Sequence, residues 1–483
     1  VSRSREEYLS RLRDGRTVWL GNQRVEDVAS HPAFRGTVDT VASLLELQDH
    51  PDWRETLTFP LPPSGIRAHM AFLVPDRQSD IRRRRRAFEI WANRTLGVMS
   101  RLSEYSRSLV TGWYADRYLL GDSVPHFAEK IERYYRESCR ADWLSTAAGH
   151  DPQVDRSKKS AEWEDADLCV HIVRETQDGI IVRGAKMLAT AAPYVDEVII
   201  FPFHRRTQDE RRYATMFAVA LNTPGVHVVC RENFSSASPE NHPLSARFDE
   251  MDAVLIFEDA LIPWERVFIR DDPEAVWRVR TSPAASALSQ HQTVVRLLSK
   301  LETVAVVALE LADVVGAKGF LHVQEKLGEL IIQVETIRGL LDASELAASA
   351  NQEGIWLPDP RYLTAARNLG TRFYPRALEI LQQIGAGGFL QVPADVQAFA
   401  GPLGDLLQRY YRGADRGAVE RARLFKLAWD LIGSPLGARH ELYERFYSGD
   451  PVRTYAAQYV NYDHQRLTDD VWRFLQRTKE GMA

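Results

Sequence analysis

Arg101 and Tyr105, in the segment SRLSEYSRS, lie four residues apart, the interval that on a helix puts two side chains on one face. A guanidinium stays cationic and a tyrosine hydroxyl can donate, so together they could hold and stabilise an aromatic oxyanion. The plainer alternative is a surface arginine stacked beside a packed tyrosine. His150, in STAAGHDPQVDR, is a lone loop imidazole that could serve the same pocket or face solvent. Tyr447, Ser448, Gly449 and Asp450 form a glycine-containing turn able to approach a ligand closely, or simply the end of a helix. HRRTQDERR, residues 204–212, is polar, charged and poor in apolar anchors, which suits a mobile lid rooted at Pro202 and Phe203 as well as any exposed hairpin loop. Its cations hint at an acidic substrate or one bound to a carrier protein.

Other chemistries lack their motifs. No GxGxxG opens a βαβ unit and no Walker-type loop occurs, so no site for binding NAD(P)H is evident. Cys139, Cys169 and Cys230 are far apart and form neither a disulfide framework nor a CxxC metal site; they read as buried or partly buried thiols, and no metal is expected. A net charge of -5 argues against nucleic acid. The five arginines 82–86 must wrap around a helix, where successive residues point about 100° apart, so they read as a solvated or subunit-facing surface paired with nearby acids. No apolar run is long enough to span a bilayer and no secretory pattern opens the chain, so the expectation is a cytoplasmic protein without a membrane partner.

The elements that must position these residues fall into three regions. With 483 residues and 45% hydrophobic content, the chain can bury a sizeable core. Residues 1–137 alternate helical patterns, including 87–110, with polar turns. Residues 138–270 carry short β-like runs at 168–173, 179–184, 198–203, 214–221, 226–230 and 253–257, punctuated by Gly, Pro and Asn as in a largely antiparallel barrel or sandwich. Residues 271–483 return to long amphipathic helices at 287–315, 319–350, 360–384, 394–411 and 419–432. Helices this long and apolar imply a bundle with faces left over for subunit contacts.

Residues 242–269, HPLSARFDEMDAVLIFEDALIPWERVFI, read as an acidic turn, a buried strand and a Pro263-Trp264 corner. This stretch resembles the signature of the two-component, flavin-dependent aromatic hydroxylases typified by the large component of 4-hydroxyphenylacetate 3-monooxygenase. Residues 6–36, 176–193 (TQDGIIVRGAKMLATAAP) and 429–450 (WDLIGSPLGARHELYERFYSGD) match the same family in the same order, so the resemblance covers essentially the whole chain. It implies an α+β, acyl-CoA dehydrogenase-like fold: an N-terminal helical domain, a central β-barrel or sandwich and a C-terminal helical bundle.

The resemblance also implies chemistry. Arg101 and Tyr105 match the residues that hold the substrate's phenol, whereas the family's substrate-binding His falls at Ala147 in this sequence. His150, three residues on, is the first candidate to compensate; Asp142, Cys139 and an ordered water follow. Gln153, Asp155 and Arg156 match a flavin-contacting loop, Thr190 a residue near the flavin ring, and Tyr447 to Asp450 a flavin-side turn. The segment AGGFLQVP, 386–393, could form another pocket wall. The implied reaction uses FAD as FADH2 with O2, passing through a C4a-hydroperoxide attacked by an ortho carbon of a phenolate. Reduced flavin would come from a separate NAD(P)H-dependent reductase, and the usual assembly is a homotetramer. With Ala147 in place of His, an already activated substrate such as a halophenol or aryl amine fits better, and a tyrosine-derived or carrier-bound phenol of secondary metabolism is compatible. Alternatives on the same fold are a flavin N-oxygenase or dehydrogenase and a non-catalytic flavin-binding homologue. An iron-sulfur dehydratase is disfavoured by the placement of the cysteines.

Overall fold

In the computed structural model, residues 3–62 and 65–480 are described, the side chains of 477–480 excepted. Twelve strands organise the first 270 residues: β1 (Thr17–Leu20), β2 (Gln23–Val25), β3 (Thr58–Pro60), β4 (Arg67–His69), β5 (Ser145–Ala148), β6 (His171–Glu175), β7 (Gly179–Thr190), β8 (Glu197–Ile200), β9 (Met216–Ala220), β10 (Val226–Cys230), β11 (Asp252–Pro263) and β12 (Val267–Ile269). One sheet runs β2-β1-β10-β11-β7-β6 and a second β12-β9-β8-β5. Pairing is antiparallel except for β1 with β10 and β5 with β8. Phe217 on β9 meets Phe257 on β11 edge to face at 5.9 Å, where the sheets pack together. The opening hairpin, β1 and β2, therefore belongs to the central β layer.

β11 runs further than its sequence pattern predicts. Ala253, Leu255 and Phe257 are buried, then the parity switches and Ala260 and Ile262 are buried instead. A register shift between Phe257 and Ala260, with Asp259 at φ 53°, absorbs one residue as a bulge. The inserted residue keeps the apolar side chains on the core face after the switch. The strand expected at 168–173 begins only at His171.

Helices enclose this layer at both ends of the chain. Pro283–Val314 is the central one; it packs against Glu104–Ala115, Gln78–Arg94, Leu321–Leu346 and Pro360–Gly385. Two expected helices are broken. The one expected at 87–110 is interrupted after Arg94, where Leu96 (φ 53°) and Gly97 (φ 66°) turn the chain left-handed. A Cβ on Gly97 would sit 2.5 Å from the Lys300 amide nitrogen, so the backbone approach to the central helix itself needs glycine. The helix expected at 394–411 divides into a 3₁₀ turn, Val396–Ala400, and a short helix, Gly404–Tyr410, separated by Gly401-Pro402.

The arginine run also departs from a solvated surface. Arg84 is fully buried and donates to the carbonyls of Ala71 and Leu73 at 2.6 and 2.8 Å and to the Ser108 hydroxyl at 2.8 Å. Its neighbours pair with acids as expected, Arg83 with Asp80 and Arg85 with Glu89 and Asp342. All three cysteines are buried free thiols. Among the described residues, no helix is long and apolar enough to cross a membrane.

Candidate functional site

The break after Arg94 creates the site. Arg101 is not helical: it lies in the segment leading to Glu104–Ala115, and Tyr105 sits in that helix's first turn. The two nonetheless meet, with the Arg101 guanidinium carbon 4.1 Å from the centre of the Tyr105 ring and 5.7 Å from that of Tyr443. The four-residue spacing thus identified the right partner through the wrong geometry. The segment is held by its backbone: the amides of Ser100 and Arg101 donate to the two oxygens of buried Glu250 at 2.6 and 2.7 Å. Ser145 on β5 donates its amide to Ser103 at 3.1 Å and accepts from Ser106 at 2.6 Å, which ties the helix start to the sheet. Burial would raise the Tyr105 phenol, but the charge of Arg101, its hydrogen bond, and the charges of Arg367 and Arg280 outweigh burial and hold it below the ordinary tyrosine value.

Ala147 lies on β5 opposite Ile199 and is half-buried. His150 follows the strand, anchored by the Met187 amide donating to its carbonyl at 2.7 Å. Its ring stacks on Phe203 at 4.2 Å, and burial together with the nearby cations His204, Lys186 and Arg101 depresses the imidazole to about 4, against the pull of Asp151. At neutral pH it is therefore a neutral hydrogen-bonding group within electrostatic reach of Arg101. Pro202 is buried and Phe203 half-buried. The weaker compensators are committed elsewhere: Asp142 pairs with Arg107 at 2.7 Å and accepts from Gln48, and burial pushes the Cys139 thiol up to about 12.

Two further cations join the site that sequence reasoning missed. The Arg280 guanidinium carbon lies 4.6 Å from the Phe203 ring centre, and that of Arg367 lies 5.8 Å from the Tyr447 ring centre. Both act on the Tyr105 phenol. Among the described residues neither they nor Arg101 has a carboxylate at ion-pair distance, and the Nε atoms of Arg280 and Arg367 are buried without a hydrogen-bond partner. Neighbouring cations do have carboxylates at ion-pair distance: Arg296 and Lys300 share Glu444, Arg439 meets Asp252, and Arg206 meets Asp151 and Glu210. Only Tyr443 left a trace in the sequence, four residues before Tyr447; their rings stack at 5.1 Å.

The residues expected around a flavin differ in how far they are engaged by the fold. Thr190 ends β7 and its hydroxyl donates to Asp252 at 2.6 Å. Burial opposes the ionised Asp252, yet Arg439, Arg231 and that hydroxyl hold its carboxyl well below the usual range. Gln153 and Arg156 are exposed, and Asp155 accepts from the Ser157 amide and hydroxyl at 2.9 and 2.6 Å. Tyr447 Oη and Ser448 Oγ are buried with no partner, Gly449 has φ 107° with only a distant Thr454 methyl near its missing Cβ, and Asp450 caps the helix Pro451–Val460 by accepting from Val452 at 3.0 Å. Two buried hydroxyls without hydrogen-bond partners beside a glycine turn suit the hydrogen-bonding groups of a flavin dinucleotide.

The charged loop is not free. Thr207 and Glu210 form a capping box on a 3₁₀ turn, Gln208–Tyr213, and Arg206 reaches inward to Asp151, Glu210 and Ser160, while Arg205 pairs with Glu274 at 2.5 Å. Ion pairs replace the apolar anchors that the sequence lacks. The segment 386–393 packs through Phe389 onto Phe425 and Trp429. A cavity of about 890 Å³ lies apart from these residues, between the helix Pro32–Glu46 and Ser245–Phe248.

Comparison with known proteins matches this arrangement to one family. The family model described as 4-hydroxyphenylacetate 3-hydroxylase N terminal matches residues 4–269, and its C-terminal counterpart matches residues 280–476. The 4-hydroxyphenylacetate 3-monooxygenase oxygenase component of Thermus thermophilus is 40% identical over 480 residues, covering 99% of this chain and 98% of that protein. A Streptomyces globisporus monooxygenase of a (3S)-3-amino-3-(3-chloro-4-hydroxyphenyl)propanoyl group on a peptidyl-carrier protein is 36% identical, covering 93% and 85%. A crystal structure of a 4-hydroxyphenylacetate 3-monooxygenase oxygenase component complexed with FAD and 4-hydroxyphenylacetate superposes with a TM-score of 0.94 at 40% identity, covering 100% of both chains.

Proposed function

The chain belongs to the 4-hydroxyphenylacetate 3-hydroxylase family, and from that membership we propose how its own residues work as the oxygenase component of a two-component aromatic monooxygenase. It uses FAD in reduced form with O2 and hydroxylates a phenolic substrate; a separate reductase supplies the reduced flavin. When bound, FADH2 activates the oxygen atom that is transferred. The chain's part is to bind and ionise the phenol. Arg101 and Tyr105 receive the phenol oxygen: the guanidinium favours the phenolate by charge and Tyr105 shares a proton with it. His150, neutral at working pH, offers a ring nitrogen from the position three residues beyond Ala147, and its stack with Phe203 keeps water from the reacting ring. Thr190, Gln153, Asp155, Arg156 and the turn Tyr447 to Asp450 hold the flavin.

The observation that carries this reading is the Arg101 guanidinium, without a carboxylate partner and 4.1 Å from a tyrosine ring. Arg280 and Arg367 extend it to the substrate. Two more uncompensated cations beside Tyr105 favour a phenol that carries a free acidic group over one esterified to a carrier. The carrier-bound substrate of the Streptomyces relative supports the second reading. One experiment separates them. With reduced FAD, reductase and O2, product formed per O2 consumed is compared for phenolic acids and their methyl esters, in wild type, Arg280→Gln and Arg367→Gln. A free-acid enzyme prefers the acid in wild type and loses that preference in the variants. Equal efficiency on acid and ester in all three proteins would sink the free-acid reading.

Assembly and location are part of the same proposal. Exposed Leu321, Ile332, Leu403, Tyr410, Tyr459 and Trp472 leave apolar surface on the C-terminal helices, which suits a homotetramer. Dependence on an NAD(P)H-driven reductase suits the cytoplasm. Light scattering showing only the 54.9 kDa chain at micromolar concentration would exclude the tetramer.

A further inference from the structure

The turn before β11 carries two buried carboxylates, Asp249 and Glu250, and the strand opens on a third that is part-buried, Asp252; each does a different job. Asp249 accepts from Arg231 at 2.6 Å and from the Phe234 amide at 2.8 Å. Asp252 takes Arg439 at 2.7 and 2.9 Å and the Thr190 hydroxyl at 2.6 Å. Glu250 takes neither a full ion pair nor a hydroxyl. It receives two successive amides, those of Ser100 and Arg101, at 2.6 and 2.7 Å, with Arg439 Nη1 further off at 3.5 Å.

These amides precede the helix Glu104–Ala115 and belong to no strand, so nothing in regular secondary structure would satisfy them. The obvious counter-ion for Glu250 would be the Arg101 side chain, whose own backbone it already touches. Instead the guanidinium turns away and stacks on Tyr105 and Tyr443. We infer that Glu250 is a positioning residue for Arg101: by binding the backbone with both oxygens it fixes the segment and leaves the guanidinium charge unneutralised for a substrate oxyanion. Since Asp252, two residues on and the first of β11, holds Thr190, the same short stretch of chain fixes both the segment of Arg101 and the Thr190 hydroxyl.

The inference rests on the reading of Arg101 as the phenol holder, and the test separates the two. 4-Nitrophenol is the probe, because its ionised form absorbs visible light and its binding to the FAD-bound protein can be titrated against pH without turnover. Wild type should bind the phenolate more tightly than the neutral phenol, and Arg101→Leu should abolish that preference. Glu250→Gln replaces one accepting oxygen with an NH2 that cannot accept from an amide. It should weaken phenolate binding about ten-fold, as expected for one lost charge-assisted hydrogen bond, while neutral-phenol and FAD affinities stay within about two-fold. Placed on Arg101→Leu, it should add no further loss, because both changes act through one guanidinium.

Should Glu250→Gln fail to fold, Glu250→Asp keeps both oxygens on a shorter arm and should retain part of the preference. Loss of phenolate, phenol and FAD binding in equal measure, or full additivity with Arg101→Leu, overturns the positioning role. A wild type with no phenolate preference overturns the reading of Arg101 itself.

Discussion

Arg101→Leu isolates the electrostatic part of the site. A phenolate oxygen held by the guanidinium lies at roughly 4 Å, where opposite charges attract by about 4 kcal/mol at an effective dielectric near 20. Arg101 is partly open to solvent and Arg280 and Arg367 remain, so the retained loss is closer to about 2–3 kcal/mol, roughly 30- to 150-fold in phenolate affinity. Leucine keeps most of the apolar stem, and the Ser100 and Arg101 backbone contacts to Glu250 are unchanged, so FAD affinity should move little. The assay is product formed and peroxide released per O2 consumed, with reductase in excess. In the variant, O2 consumption should persist while product falls and peroxide rises, because flavin chemistry continues without an oriented acceptor. At saturating substrate the turnover defect should shrink as pH approaches about 10, where a bound simple phenol ionises unaided. Hydroxylation by Arg101→Leu at the wild-type rate and coupling at pH 7 would refute the reasoning, and so would a defect independent of pH.

Two other outcomes follow from the same geometry. His150 is depressed from 6.5 to about 4 in the folded chain, so the unfolded chain binds the extra proton between those values. Its stabilising contribution is present above about 6.5 and is lost as pH falls towards 4; moving the imidazole that far is worth roughly 3 kcal/mol. His150→Asn should therefore show a shallower loss of urea resistance between pH 7 and 4 than wild type, and parallel losses would remove the buried-neutral description. Gly97→Ala forces a side chain into the Lys300 backbone at positive φ and should cost about 2–4 kcal/mol, read as a lower denaturation midpoint. A midpoint within error of wild type would mean the 95–103 segment adapts freely, against its role as a fixed support.

The local pattern made the long amphipathic helices legible: the one expected at 287–315 is Pro283–Val314, and the one expected at 360–384, with a proline in its first turn, is Pro360–Gly385. It misled where tertiary contacts overruled it. The run 87–110 reads as one helix, yet Gly97 had to come within van der Waals contact of Lys300, some two hundred residues away, and no local signal reports that. Glu258-Asp259 looks like the end of a strand and is a bulge within one. Arg84 looks like one more surface cation in a run of five, but the carbonyls it serves belong to a neighbouring 3₁₀ turn, Met70–Phe72, and its edge. Arg280 and Arg367 carry no motif at all; they become site residues only because two separate helices deliver them to Tyr105.

The arginines of the site, like buried Arg84 with its carbonyl partners, have no carboxylate at ion-pair distance among the described residues, and this follows from how the acids are used. Buried cations are ordinarily neutralised because an unpaired one in low dielectric costs several kcal/mol. The fold has acids within reach: Glu250 touches the Arg101 backbone and Glu444 sits beside Arg296 and Lys300. Each is already engaged, Glu250 by two amides and Glu444 by two cations, and among the described residues Arg101, Arg280 and Arg367 have no carboxylate at ion-pair distance. The charges of Arg280 and Arg367 oppose each other, and that cost is carried by the folded chain before any ligand arrives. A bound phenolate, or a phenol bearing an acid, relieves that repulsion and is stabilised by charges that need not reorganise. An imidazole at position 147 would add one hydrogen bond to such a site; without it, the field of the arginines and the neutral His150 ring must lower the phenol's proton affinity. That is why phenols that ionise readily should be the better substrates of this chain.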